Sequence, residues 1–99
     1  MEGEIPKEDE IYIKNVFLMT RWIQDKREFT DEEVREMNKT MSKLTEALLK
    51  INYNQLIAVL SKYRDHPIYG RSIENVALSP YGREWIRKTL DKVKRIGIN

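Results

Sequence analysis

Along the first third of the chain, apolar positions recur at helical spacing. From Asp9 to about Arg27, the residues Ile13, Val16, Phe17, Thr20 and Ile23 fall on one stripe, which Tyr12, Met19 and Trp22 widen. This predicts a helix over 9–27, preceded by a frayed tail at 1–8. So wide a stripe implies burial on more than one side, as at a subunit interface. A second helix is predicted over 31–50. Thr30 and Glu33 have the spacing of a capping box, and Asp31, Glu32 and Glu33 place negative charge at the positive end of the helix dipole. Behind them Val34, Met37, Met41, Leu44, Leu48 and Ile51 recur every three or four residues as a heptad seam. Such a seam serves a coiled-coil partner or packs within a small helical core, and its shortness favours the core.

The rhythm breaks at Lys50-Ile51-Asn52-Tyr53, where Asn52 is placed to cap a new helix over 53–64. That helix would bury Leu56, Ile57, Val59, Leu60 and Tyr63, and expose Asn54, Gln55, Ala58, Ser61 and Lys62. Pro67 and Gly70 punctuate the next stretch. "HPIY" and "SIENVAL" read as two strands joined by Tyr69-Gly70-Arg71-Ser72, a β-hairpin over 66–78 with Arg71 near its tip. Ser79 then caps, and Pro80 opens, a closing helix over 80–96 that buries Trp85, Ile86, Leu90, Val93 and Ile96, with Gly97 at its end. Gly82 stands in its first turn, where glycine costs up to about 1 kcal/mol relative to alanine. Close approach of another backbone is the reason to expect it there.

Two helices joined by a tight turn, with amides opening the second, have the form of a helix-turn-helix. Asn and Gln side chains make paired hydrogen bonds to adenine in the major groove, and Ala58 is small enough to let a helix approach a thymine methyl. The order of elements, "LLKINYNQLIAVLSKYR" and Leu78-Ser79-Pro80-Tyr81-Gly82-Arg83 together resemble the winged helix-turn-helix superfamily. In its MarR-like and PadR-like regulators, the last wing strand runs into Leu-Thr-x-x-Gly-Arg and a closing helix, and the Gly lets that helix lie tight against the domain. The resemblance covers about residues 44–88. It implies a mainly α fold with a short β-hairpin wing and long first and last helices. It also implies binding of double-stranded DNA in transcriptional regulation. Tyr53, Asn54, Gln55 and Ala58 would enter the major groove, Lys62 and Arg64 would meet phosphates, and Arg71 would reach out from the wing. Terminal helices dimerise such proteins, so the resemblance implies a homodimer with Phe17, Trp22, Trp85 and Leu90 at its interface. The chain departs from the pattern in its short wing with one Arg, its weakly basic recognition helix and its long second helix. Winged helices also serve as protein-interaction modules. The alternative is therefore an accessory or adaptor subunit, such as a polymerase-associated factor or a virus-encoded inhibitor, that binds a protein through the 34–51 seam or the first helix.

Charge sharpens the DNA expectation. The net charge is only +2. Residues 1–49 carry 8 Lys/Arg against 12 Asp/Glu, net −4, and residues 50–99 carry 10 against 4, net +6. A basic half is a footprint of nucleic-acid binders, or of a surface whose charge happens to segregate. The closing helix would carry Arg83, Arg87, Lys88, Lys92, Lys94 and Arg95 outward. Cysteine is absent, no apolar run spans a bilayer, and the acidic start lacks the form of a signal peptide. These features point to a cytoplasmic protein free of the membrane. Scarce Gln with abundant Lys, Glu, Arg and Ile is a thermophile's balance.

No catalytic constellation emerges. His66 is the only histidine and precedes a proline, Asp31, Glu32 and Glu33 are explained by helix stabilisation, and Tyr53 and Tyr63 lack an activating neighbour. The four glycines form no phosphate-cradling loop, and no ligand spacing calls for a metal or other cofactor. The chain reads as a non-enzyme.

Overall fold

Capping chemistry sets most of the helix boundaries. The computed structural model describes residues 4–97, so the first three residues of the expected tail lie outside the described ones. Helix α1 (Lys7–Gln24) begins two residues before the predicted start. Pro6 precedes it, and Glu8, Asp9 and Glu10 occupy its first turn. It ends in a Schellman motif: Arg27 N–H bonds to Trp22 C=O at 3.2 Å and Lys26 N–H to Ile23 C=O at 3.1 Å. Lys26 takes the left-handed conformation at φ 57° that this motif requires.

Helix α2 (Asp31–Thr40) carries the predicted capping box, with Glu33 N–H donating to Thr30 Oγ1 at 3.1 Å and Thr30 N–H to Glu33 Oε1 at 3.0 Å. The helix predicted over 31–50 is in fact two. The chain breaks at Met41 (φ −124°, ψ 45°) and resumes as α3 (Ser42–Leu49). Hydroxyls gather at the break. Thr40 Oγ1 donates to Glu36 C=O, and Thr45 Oγ1 lies 3.1 Å from Asn38 Oδ1 and 3.2 Å from Met41 C=O. Such side-chain bonds offer the backbone an alternative to the helix ladder. The heptad seam therefore bends: Val34, Met37, Leu44, Leu48 and Ile51 are buried in one core, and Met41 sits half-buried at the corner.

Helix α4 (Tyr53–Lys62) follows the turn at Lys50–Asn52. Asn52 and Gln55 form a second capping box at 2.8 and 2.9 Å. The predicted wing is not formed, and no strand occurs among the described residues. The expected fold class is corrected accordingly: the structure is all-helical. In place of the hairpin, α5 (Gly70–Ser72) runs into a π-helical segment, Ile73–Ala77, closed by a five-residue bond from Leu78 N–H to Ile73 C=O at 2.8 Å. Two features impose this. His66 Nδ1 accepts from the N–H groups of Ile68 and Tyr69, starting a helical turn. Gly70 packs so close to residue 64 that a Cβ there would lie 2.5 Å from Arg64 C=O. Ile73 and Ala77, one helical turn apart, are then both fully buried.

Helix α6 (Pro80–Gly97) starts as the sequence implies. Gly82 N–H donates to Ser79 Oγ at 3.0 Å, and Ser79 Oγ donates to Val76 C=O at 2.7 Å, so one hydroxyl ties the π-helical segment to α6. A Cβ on Gly82 would lie 1.9 Å from Val76 C=O and 2.9 Å from Ala77 C=O. The close approach expected of Gly82 is thus present, against the π-helical turn. Helices α1 and α6 are the two axes of the fold. Each packs on α3, α4 and the π-helical segment, they touch one another, and α2 lies against α6. Ile13, Leu56, Leu60, Ile73, Val34 and Val93 are fully buried between them, each contributing about 1.5–3 kcal/mol. No described helix is long and apolar enough to cross a membrane.

Candidate nucleic-acid interface

Helices α3 and α4 are joined by the short turn at Lys50–Asn52, and α4 exposes one polar stripe. Leu56 and Leu60 turn inward, which places Asn54, Gln55, Ala58, Ser61 and Lys62 on the opposite side. Asn54 and Ala58 are exposed. Gln55 is exposed too, but its Oε1 is held by the capping box, leaving its amide NH₂ for outside contacts. Tyr53 is half-buried against the core. Lys62 is exposed, with its ammonium 3.5 Å from Asp9. Asp9 itself is nearly buried and accepts a 2.6 Å bond from Tyr63 O–H, which pins the end of α4 to the start of α1. The carboxylate accepting that bond, helped by burial, pushes the Tyr63 phenol up to about 12.

Arg64 and Arg71 are both exposed and, among the described residues, have no acidic partner. Arg71 does not sit at a wing tip. It lies on α5, next to the Gly70 that approaches Arg64, so the two arginines belong to one corner. About 15 Å of helix separates this corner from Asn54. Sequence reasoning missed Lys43 and Lys50. Both are exposed without an ion-pair partner among the described residues, one at the start of α3 and one in the turn. Their signal is position: each flanks a break in the helical ladder.

The basic face of α6 is different. Lys88 meets Glu28 at 3.7 Å, Lys92 meets Asp31 at 3.8 Å, and Arg95 meets Asp31 at 3.5 Å. Lys92 also donates to Phe29 C=O. Arg87 is bonded to Glu84 at 2.6 Å and lies 3.6 Å from Asp91. The hydrogen bond between Glu84 and Arg87 lowers the pKa of the carboxyl and raises that of the guanidinium, so each holds the other charged. Much of the segregated charge in the sequence is therefore matched across the fold, the acidic 28–33 stretch against the basic closing helix.

The four residues expected at a dimer interface are divided. Trp85 and Leu90 are core: Trp85 packs edge-on to Phe29 at 5.2 Å and its Nε1–H donates to Arg27 C=O. Trp22 and Phe17 are half-buried, edge-on to Phe29 at 4.8 Å and to Tyr69 at 5.2 Å. His66 is a structural cap stacked on Tyr69, and no group of three or more metal-ligating side chains occurs among the described residues. Comparison with protein-family models, with curated proteins and with solved structures gives no match.

Proposed function

We propose that the protein is a non-catalytic, cytoplasmic module that binds double-stranded DNA through the α3–turn–α4 pair, in the manner of a transcriptional regulator. The observation that carries this reading is the contrast of charges. The cations that flank α4 without an acidic partner among the described residues are Lys50, Arg64 and Arg71, whereas most of those on α6 have one. Asn54, Ala58 and the Gln55 amide supply base-edge contacts. The arginine corner and Lys50 hold phosphates, which fix register and give salt-dependent affinity. An α-helix fits the major groove, and no wing is needed for that contact.

The test is binding of wild-type protein to random duplex and to a site selected from it. Asn54→Ala should cost about 1–3 kcal/mol on the selected site and little on random DNA. Failure of wild-type protein to bind any duplex at low salt ends this reading.

A second reading, the adaptor, draws on two exposed apolar side chains. Leu18 is 65% exposed and Ile68 67% exposed, and each neighbours one ring of the Phe17–Tyr69 contact. Apolar exposure of this kind serves a protein partner. Leu18→Asp would then abolish partner capture and leave DNA binding unchanged.

A further inference from the structure

Helices α1 and α2 both pack on α3 and α6 but scarcely touch each other. A groove opens between them. It consists of two clefts, of about 650 and 430 Å³, that share Thr40 and Met41 at the α2–α3 corner. Half-buried Met41 stands where the clefts meet, half-buried Ile11 lines the first and half-buried Trp22 the second. The ends of the groove have opposite sign. One end carries Lys7, Lys14 and Lys43 with the single acid Glu10, and the other carries Glu32, Glu33 and Glu36 with no cation in its lining. Lys14 is matched by Glu10 at 2.5 Å, Glu33 by Arg27, and Glu36 meets Lys39 at 3.5 Å. Lys7, Lys43 and Glu32 are exposed and have no ion-pair partner among the described residues.

We propose that this groove is the interface of a homodimer, filled by a second copy related by a two-fold axis through the Met41 corner. A two-fold interface presents the same patch from both sides and must complement itself. A patch with an apolar centre, one basic end and one acidic end does so when rotated by half a turn: Lys7 and Lys43 of each copy meet the acidic end of the other, where Glu32 is unmatched and Glu36 is held only by the exposed Lys39 at 3.5 Å. A foreign peptide would place no such symmetry demand on the groove. Met41 would form the desolvated centre, the two-fold would set the Ile11 cleft of each copy against the Trp22 cleft of the other, and the charges would form the polar rim. The unbranched, adaptable Met41 suits a position where two copies of one side chain meet on the axis. Dimerisation through this groove needs no DNA, so it stands or falls apart from the reading above.

The test is sedimentation without DNA, using a charge swap on exposed residues. Wild-type protein should sediment at twice the 11.9 kDa chain mass. Glu32→Lys/Glu36→Lys makes both ends basic, and Lys7→Glu/Lys43→Glu makes both acidic, so each variant alone should fall to the single-chain mass. Their equimolar mixture should return to twice that mass, because each basic end then meets an acidic one. Wild-type protein that stays at the single-chain mass up to high micromolar concentration overturns the proposal. So does a dimer that either variant leaves intact, or a mixture that stays monomeric. Circular dichroism of each variant confirms that the helices persist, and the wild-type mass decides the matter if one does not fold.

Discussion

Helix α6 and the corner that follows α4 lie in the same basic half of the chain, and the fold treats their charges in opposite ways. On α6, Lys88, Lys92 and Arg95 reach back to Glu28 and Asp31, far away in sequence. Lys62, the one cation of α4, likewise meets Asp9, but past its end Arg64 and Arg71 meet no such acid among the described residues. A stretch of sequence with a strong net charge is therefore not yet a binding surface. What remains for a polyanion is the charge left after the protein has matched its own, and part of that remainder, Lys50, Arg64 and Arg71, flanks α4.

The largest expected effect concerns how α6 is held in place. Gly82→Ala would drive a Cβ into Val76 C=O, and the π-helical turn has little room to yield. We expect a loss of about 3 kcal/mol, against a propensity gain of at most about 1 kcal/mol. A melting temperature that rises on this substitution would break the account of why α6 sits where it does. Next comes Asn52→Ala, which removes the cap of α4 and should cost about 1 kcal/mol in denaturant titration. An unchanged midpoint would mean that packing alone sets the start of α4.

The tie between α4 and α1 gives a pH dependence. The Tyr63 phenol is raised from 10 to about 12 in the fold, so its neutral form is favoured there. The associated stability is fully present below pH 10 and disappears as pH rises from 10 to 12. Tyr63→Phe should flatten that part of the profile when the two proteins are titrated side by side. The smallest stability effect belongs to the α6 ion pairs. Asp31→Asn should change stability by less than about 1 kcal/mol, because its pairs are exposed. It should nevertheless strengthen binding to random duplex by releasing Lys92 and Arg95. No change in binding would blunt the contrast between the two faces.

Much of this fold is legible where the signals are local. Thr30 with Glu33, Asn52 with Gln55, and Ser79 with Pro80 mark helix starts through bonds that span three residues, and Gly82 marks a close approach. The helical turn that replaces the wing is not legible, for two reasons. Pro67 and Gly70 are turn signals in either structure. Ile73 and Ala77 lie in a stretch apolar enough for a strand, although their four-residue spacing is helical. What decides the outcome is Gly70 against Arg64 and a lone pair on His66, and neither is visible in an apolar pattern. The break at Met41 is hidden because the heptad spacing continues through it while the Thr40 and Thr45 hydroxyls compete with the ladder. At the candidate site, the exposure of Asn54 and Ala58 follows from helical periodicity. The neutralisation of α6 does not, because it joins residues that only the tertiary fold brings together.

The central claim is that the unmatched cations beside α4 carry DNA affinity and the matched ones on α6 do not. Binding to random duplex across a salt series measures this for wild type, Arg64→Ala/Arg71→Ala and Lys88→Ala/Arg95→Ala. The account predicts that the first pair lowers the slope of log affinity against log salt by about 0.9 for each phosphate no longer neutralised, roughly two in total, while the second leaves it unchanged. A slope that falls for the α6 pair and holds for Arg64 and Arg71 would contradict it.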